Sequence, residues 1–362
     1  MRRRHLLQWG AFGGSLWLGG SVMSQQLSGT EILEGAFPLL DLRDFSQPLP
    51  AHWLTETSAF YVQSAFGTPE VDLDTWRLTI DGLVKQSLSF TLAEIQAEPA
   101  EDFYWTLQCI GNPAGGELIG NALWRGCRLL PLLERVGIPS TTPAFALHGA
   151  DGYVTALPTA SLLHPDVRLA YRMNGDPLPA QHGAPLRVFI PGKYGQKQPK
   201  WLTQITGIPS WQKGHWERLG WSNEANILTQ ALPRQLQSMA DPPPSPALSK
   251  GQRVSQKVSR LTLPTGRIVL AGVALASGQA ISQVLVSADG GTTWQIANQN
   301  QPDTPYEWTL WRYAWSLPEV GNYELMARAV TPDGAQQPLN DIIPFDGTNA
   351  VLRIRLKLVD SP

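Results

Sequence analysis

Cysteine is scarce in this sequence, since only Cys109 and Cys127 occur among its 362 residues. Two thiols are too few to hold an iron–sulfur cluster, and the Cys-x-x-Cys-His motif that attaches haem covalently does not occur. We therefore expect this chain to carry neither an iron–sulfur cluster nor a haem.

Charged residues and long apolar runs are also in short supply. Charged side chains make up 16% of the residues and the formal net charge is −2, so we do not expect a basic face for nucleic acid. The apolar run 9–23 is short and interrupted by glycine, which disfavours a permanent transmembrane span. A hydrophobic content of 43% is typical of a soluble globular protein, and the chain length favours two domains.

The first 24 residues resemble an export signal. Arg2–Arg4 give a positive start before the apolar stretch, and Arg3-Arg4 followed by His5-Leu6-Leu7 is close to a twin-arginine signal. The sequence therefore predicts an exported protein, periplasmic in a bacterium, that crosses the membrane already folded.

Four further segments follow this signal in the predicted domain organisation. Residues 25–59 form an extended arm that wraps the first domain. Residues 60–240 mix strands and short helices without a regular βαβ repeat, and residues 241–250 are a Pro-rich linker. Residues 251–362 contain short strands separated by hairpin turns, without a Cys-Trp-Cys pattern. We predict an α+β domain followed by an all-β immunoglobulin-like sandwich.

Local patterns predict three features of the first domain. Residues 60–69 run as a strand into a turn, and Thr91 and Glu94 form the capping box of a short helix at residues 92–95. Residues 129–136 have helical spacing, and Gly137 ends that helix.

The segment Leu107–Asn112 places Cys109 at the end of an apolar, strand-like run and directly before a Gly-Asn turn. Spacing alone leaves three states open for this thiol. It could be bonded to Cys127, eighteen residues later, or remain a buried inert thiol, or act as a reactive or metal-bound thiolate.

A series of ordered motifs resembles the molybdenum-cofactor domain of the sulfite oxidase family. The motifs are Leu107–Asn112, Trp124-x-Gly126, Leu169–Pro179, His182–Arg187, Pro191–Gly195 and Lys200–Leu202. The similarity runs from about Phe60 to the C-terminus, where Val284–Trp294 and Glu324–Ala329 resemble the family's dimerisation domain.

This resemblance implies one molybdenum–molybdopterin cofactor per chain, with Cys109 as the only protein ligand to the metal. A soft, deprotonated sulfur suits a metal that the dithiolene of the pterin already binds through sulfur. The cofactor-binding residues implied by resemblance are Tyr61, Val62, Gln63, Ser64, Asp151, His182, Arg187, Gln198 and Lys200. Arg187 suits a phosphate because of its fixed donor geometry, whereas Asp151 is equally well explained by the Asp-Gly turn that it begins.

Three positions depart from the pattern of family members that oxidise sulfite. Gln63 and Ala114 stand where those enzymes carry arginine, and Trp221 stands where they carry a tyrosine near the metal. Glutamine cannot neutralise a dianion, and an indole cannot deliver a phenolic proton. We assign catalytic positions to Cys109, Gln63 and Trp221, and we expect a small-molecule substrate other than sulfite. Trp221 is also explained as an apolar wall.

The resulting hypothesis is a molybdenum oxidoreductase that transfers an oxygen atom and exchanges electrons with an external carrier such as a c-type cytochrome. The resemblance also implies a homodimer through the C-terminal domain. The alternative hypothesis is a cofactor-free secreted binding module with a Cys109–Cys127 disulfide.

Overall fold

Two sheets organise the first half of the protein in the computed structural model, which describes residues 45–238, 252–253, 260–317, 319–341 and 345–360. The predicted export signal, residues 25–44 of the arm and the Pro-rich linker lie outside the described residues. The strands of this half are β1 Leu78–Gly82, β2 Leu88–Phe90, β3 Ala100–Gln108, β4 Ile119–Arg128, β5 Ala144–Gly149, β6 Val154–Pro158, β7 Arg168–Met173, β8 Asp176–Pro177, β9 Arg187–Phe189 and β10 Leu202–Ile208. The helices are α1 Leu92–Gln96, α2 Leu130–Val136, α3 Thr159–Leu162 and α4 His215–Arg218.

One sheet has the strand order β2-β1-β10-β5-β6 and contains a parallel pair, β1 with β10. The other has the order β3-β4-β7-β8, and β9 pairs with β7. Leu132, Leu133 and Val136 of α2 are completely buried in the core of this half. Single 3₁₀ turns at Ala180–His182 and Gly195–Lys197 lie in the loops after β8 and β9.

The second half is a sandwich of two five-stranded sheets. Its strands are β11 Gln230–Ser238, β12 Gln252–Arg253, β13 Arg260–Pro264, β14 Gly266–Leu275, β15 Gln283–Ser287, β16 Gln295–Ile296, β17 Asn298–Gln299, β18 Thr309–Leu317, β19 Gly321–Val330 and β20 Ile354–Val359. The sheet orders are β12-β11-β14-β18-β17 and β13-β20-β19-β15-β16. Leu270, Trp311 and Leu356 belong to one shared core between the sheets. The mixed α+β half and the all-β sandwich confirm the predicted fold class.

β11 lies within the residues that the sequence assigned to the first domain, yet it pairs with β14 over its whole length. The sandwich therefore takes in residues from Gln230 onwards, ahead of the predicted linker.

The described part of the arm lies in the seam between the two halves. Leu49 and Trp53 share a buried cluster with Ile119 of β4 and Leu275 of β14. The backbone N–H of Thr55 donates to the carbonyl of Asn121 at 2.7 Å. The arm therefore contacts both halves, rather than only the first domain as the sequence predicted.

Local sequence signals explain two helices and fail for one strand. Thr91 and Glu94 form the predicted capping box at α1, and Gly137 ends α2 with φ of 71°. The predicted strand 60–69 is instead irregular extended chain. No described helix is long and apolar enough to cross a membrane.

Candidate active site

Cys109 directly follows β3, on the tight turn that the sequence predicts. Its N–H donates to the carbonyl of Leu118 at 2.9 Å, and its carbonyl accepts from the N–H of Asn112 at 3.0 Å. The side-chain oxygen of Asn112 in turn accepts from the N–H of Leu118 at 2.9 Å. Burial raises the pKa of the Cys109 thiol, and a hydrogen bond from the backbone of Gly111 opposes that rise. The turn thus holds a partly exposed free thiol in a defined place.

Cys127 lies at the far end of the same hairpin, so the predicted alternative of a disulfide is wrong. It pairs with Ala100, nine positions before Cys109 along β3, which corresponds to about 30 Å of strand. A disulfide needs Cα atoms within about 7 Å of each other. Both cysteines are free, and Cys127 is buried in the core, where burial raises the pKa of its thiol to about 12.

Trp221 borders the Cys109 turn directly. A methyl group added at Gly111 would lie 3.4 Å from Cη2 of Trp221 and 3.9 Å from Sγ of Cys109. The other side of the indole contacts Phe345, with ring centroids 5.5 Å apart and planes at 89°. The structure therefore brings Trp221 and the thiol together across one glycine.

The segment 61–64 passes beside this turn. A methyl group at Gly195 would lie 3.4 Å from the hydroxyl of Tyr61, and burial together with the Cys109 thiol raises the pKa of Tyr61, which Arg187 opposes. Val62 and Gln63 are exposed, and Ser64 is half-buried. Tyr61 thus interacts electrostatically with both the thiol and Arg187, while Gln63 is exposed to solvent.

Three basic side chains, His182, Arg187 and Lys200, form a cluster with little compensating charge. Nη1 of Arg187 donates to the carbonyl of His182 at 2.9 Å, and Nζ of Lys200 donates to the carbonyl of Gln181 at 2.9 Å. His182 and Arg187 are buried, and Nε of Arg187 is buried without a hydrogen-bond partner among the described residues.

The pKa values of this cluster show the missing counter-charge. Burial, then the charge of Arg187, lowers the pKa of His182 to about 4 and that of Lys200 to about 7. Burial lowers the pKa of Arg187 itself to about 10. Each of these groups is easier to charge once an anion lies beside it.

Asp151 is the carboxylate nearest to this cluster. Its Oδ1 accepts from the N–H of Tyr153 at 3.0 Å, which is the turn bonding expected of an Asp-Gly pair. Burial raises its pKa, while Lys200 and His215 lower it. The turn explanation therefore holds, and the carboxylate also lies close to Lys200.

Gln198 and two neighbouring lysines serve the scaffold of the loop after β9. Oε1 of Gln198 accepts from the N–H of Ile190 at 3.2 Å, and its Nε2 donates to the carbonyl of Lys193 at 2.6 Å. Lys193 is bound to the side chain of Asn226 at 2.7 Å, and Lys197 to Glu217 at 2.5 Å. Lys193, Lys197 and Lys200 lie close together in the sequence, but of these three only Lys200 joins the basic cluster.

Sequence reasoning missed Tyr153 and Glu217, which bind residues of the loop after β9. The hydroxyl of Tyr153 donates to the carbonyl of Gln196 at 2.7 Å, and its ring centroid lies 6.1 Å from that of His215. Glu217 is a buried carboxylate that pairs with Lys197. The only sequence signal for them was their nearness to residues of the recognised motifs.

Comparisons with known proteins find relatives of both halves of the chain. The model of the oxidoreductase molybdopterin binding domain matches residues 65–216, and that of the Mo-co oxidoreductase dimerisation domain matches residues 251–357. Human mitochondrial sulfite oxidase is 28% identical over 336 residues, which cover 84% of this chain and 61% of that protein. Mitochondrial sulfite oxidase of Drosophila melanogaster is 29% identical over 350 residues, covering 86% and 60%.

A solved structure shows the same fold. The sulfane dehydrogenase SoxCD from Paracoccus pantotrophus superposes with a TM-score of 0.67 at 21% identity, over 84% of this chain and 81% of that chain. The chain belongs to the sulfite oxidase family of molybdopterin-dependent oxidoreductases. It spans about 61% of the length of the human relative.

The residues present fit the molybdopterin cofactor of this family. The buried Arg187 guanidinium, with one nitrogen that lacks a hydrogen-bond partner among the described residues, provides the environment that a phosphate would neutralise. A free thiol on a half-open turn offers the soft donor that molybdenum accepts. No group of three or more His, Cys, Asp or Glu side chains arranged to hold a metal occurs in the described part of the chain.

Proposed function

We propose that this protein catalyses oxygen-atom transfer at a molybdenum–molybdopterin cofactor whose metal is bound by Cys109. The observation that carries the proposal is the free Cys109 thiol on its turn, with the Trp221 indole beside it across Gly111. When bound, the cofactor supplies two-electron oxygen-atom transfer and single-electron exchange with a carrier.

The basic cluster holds the phosphate end of the cofactor. Arg187 presents its unpartnered Nε and Lys200 its ammonium group, while the carbonyl of His182 accepts a hydrogen bond from Nη1 of Arg187. Asp151 would accept hydrogen bonds from the pterin ring system, and the backbone of Tyr61, Val62, Gln63 and Ser64 would border it. Gln198 acts by holding the loop between Ile190 and Lys193 in shape.

The substrate is a small molecule with less negative charge than sulfite. Gln63 and Ala114 bring no positive charge to the side of Cys109, and Trp221 presents an indole edge there. Phe66 and Phe345, which contact His215 and Trp221, are 54% and 58% exposed. An uncharged or partly apolar substrate suits this mixed surface better than a dianion does.

The electrons pass to or from a separate carrier, for which a small c-type cytochrome is a fitting partner. The C-terminal half supports a homodimer, because it matches a dimerisation domain. A twin-arginine-like signal at residues 1–24 directs the protein to the periplasm or another exported location. We expect no haem or iron–sulfur cluster here, because the sequence has two cysteines and lacks a Cys-x-x-Cys-His motif.

Metal and pterin content test the proposal. Wild-type protein from a host that makes the cofactor is expected to contain about one molybdenum per chain, and Cys109→Ser is expected to lose the metal signature and turnover. Cys127→Ser is the matched control, because its thiol is buried in the core away from the site. Folded wild-type protein without molybdenum and pterin would overturn the proposal.

Substrate preference is tested at Gln63. Replacing Gln63 with arginine restores a positive charge and is expected to raise sulfite turnover at the expense of neutral S-oxides, since guanidinium neutralises an oxyanion. Ser64→Arg is the control for added charge at a neighbouring position. Sulfite turnover that is equal in Gln63→Arg and wild type would contradict this account of the substrate side.

A further inference from the structure

Lys197 and Glu217 form an ion pair that is sealed from solvent. Nζ of Lys197 lies 2.5 Å from Oε1 of Glu217, and both side chains are 0% exposed. The same ammonium group donates to Oγ1 of Thr155 at 3.1 Å, to the carbonyl of Ala156 at 3.0 Å and to Oδ1 of Asn223 at 3.2 Å. One charge therefore ties together the loop after β9, strand β6, helix α4 and the segment that follows α4.

The position of the Glu217 carboxylate is defined just as tightly. Its Oε1 accepts from the hydroxyl of Thr155 at 2.9 Å. A methyl group at Gly214 would lie 2.6 Å from its Oε2, so glycine is required where the carboxylate folds back over the start of α4. Oε2 is buried without a hydrogen-bond partner among the described residues.

Stability by itself is a poor explanation of such a pair. Two charges lose their hydration on burial, and well-packed apolar residues of similar volume often serve stability equally well. A buried pair does, however, permit one arrangement of its partners and penalises the others, because any displacement leaves an uncompensated charge. The pair is therefore suited to placing a particular segment.

The segment that it places carries Trp221. Trp221 lies four residues after Glu217 and two before Asn223. Its backbone N–H donates to the carbonyl of Trp216 at 3.3 Å. The neighbouring carbonyl of Ser222 accepts from Nε2 of Gln196 at 2.7 Å, next to Lys197 in the chain. Both flanks of Trp221 are thus held by the ion pair or its neighbours, and the indole points at Gly111 and the Cys109 thiol.

We propose that the Lys197–Glu217 pair is a positioning device that fixes the Trp221 indole beside Cys109 and so sets the width of the substrate side. Its structural part stands on the contacts above, and its catalytic consequence rests on the proposed function. Lys197 and Glu217 act through Trp221 and do not touch the reacting atoms.

The first test observes Trp221 in the folded full-length protein by near-ultraviolet circular dichroism. The spectrum of wild type minus that of Trp221→Phe isolates the signal of this indole. In the Glu217→Gln background the corresponding difference is expected to lose most of its amplitude. An indole that adopts several orientations gives a dichroism signal that largely cancels. An unchanged difference signal in folded Glu217→Gln protein would overturn the proposal.

Glu307→Gln is the matched control, because this carboxylate is also buried and paired but lies at the arm seam, where it accepts from His52 and Asn121. It is expected to keep the Trp221 signal. If Glu217→Gln does not fold, the double variant Lys197→Met/Glu217→Leu, which removes both charges, takes its place. A full Trp221 signal in that variant would equally contradict a positioning role.

The second test is a double-mutant cycle in the holoenzyme with dimethyl sulfoxide, an uncharged S-oxide, as the probe and a chemically reduced dye as the electron donor. If the pair acts through Trp221, Glu217→Gln/Trp221→Phe is expected to show a kcat/KM within about twofold of Trp221→Phe alone. Independent, multiplying losses would contradict the inference. Wild-type protein without molybdenum would instead refute the proposed function, and the dichroism test would still decide the role of the pair.

Discussion

The segment 182–200 contains two groups of basic residues that are alike in sequence and opposite in electrostatic state. Lys193 and Lys197 are buried, and in both cases a carboxylate, Glu224 or Glu217, opposes the lowering of the lysine pKa that burial causes. In the second group, burial lowers the pKa of Lys200 and of His182, the neighbouring cation Arg187 lowers both further, and Asp151 opposes the shift of Lys200.

This difference separates scaffold from binding site. A protein tolerates a buried charge when its partner is built in, and an uncompensated buried charge persists where a ligand supplies the partner. The first group therefore shapes the loop after β9, and the second is prepared for the anionic part of a cofactor. The predictions that follow attack this contrast, beginning with the largest expected effect.

Removing a built-in partner is expected to have the largest effect. Lys197→Met leaves the Glu217 carboxylate buried without its ammonium partner and should lower the free energy of unfolding by about 3–5 kcal/mol. Chemical denaturation of the cofactor-free protein measures this, with the exposed Lys213→Met as control. A loss as small as that of the control would show that the buried Glu217 carboxylate does not depend on the ammonium group of Lys197.

Acid is expected to act through His182. Its pKa is about 4 in the folded protein and about 6.5 in the unfolded chain, so between these values the unfolded chain binds more protons. Stability of the cofactor-free protein should therefore fall as pH drops from 6.5 to 4, by at most about 3 kcal/mol from this residue.

His182→Gln is expected to flatten that slope, whereas replacement of the exposed His164 should leave it unchanged. Denaturation curves at several pH values give both slopes. Parallel pH profiles of wild type and His182→Gln would refute the assignment.

Anion binding is expected to distinguish the two groups, with an effect of intermediate magnitude. Inorganic phosphate at ten times its dissociation constant should stabilise cofactor-free wild type by about 1.4 kcal/mol, because it binds only the folded state. Arg187→Met should abolish this gain, whereas Lys193→Met should keep it, since Lys193 is already bound to Asn226 and Glu224. Equal phosphate responses in both variants would erase the contrast.

The smallest expected effect is the pH dependence of that phosphate binding. Because the pKa of Lys200 is lowered to about 7, its ammonium group loses its proton as pH rises through neutrality. Phosphate affinity should decrease severalfold between about pH 6 and pH 8 beyond the change due to phosphate itself. Isothermal titration of wild type and Lys200→Met checks this, and the variant should lack the additional decrease.

Local sequence rules predicted the features that depend on neighbouring residues. The capping box of Thr91 and Glu94, the end of α2 at Gly137 and the turn that carries Cys109 are each decided within a few residues. The order of the motifs was enough to reveal the family. These features depend on local backbone preferences and on the spacing of residues, and both can be inferred from a single sequence.

Only the tertiary structure showed that residues of the same type, such as the two cysteines or the lysines, have different roles. Lys197 finds Glu217 and Trp221 reaches Gly111 because distant segments converge, and Cys127 is removed from Cys109 by the length of a strand. β11 joins the sandwich although it precedes the Pro-rich linker. A charge or a thiol takes its chemistry from its three-dimensional neighbours, and those neighbours are set by long-range packing rather than by position along the chain.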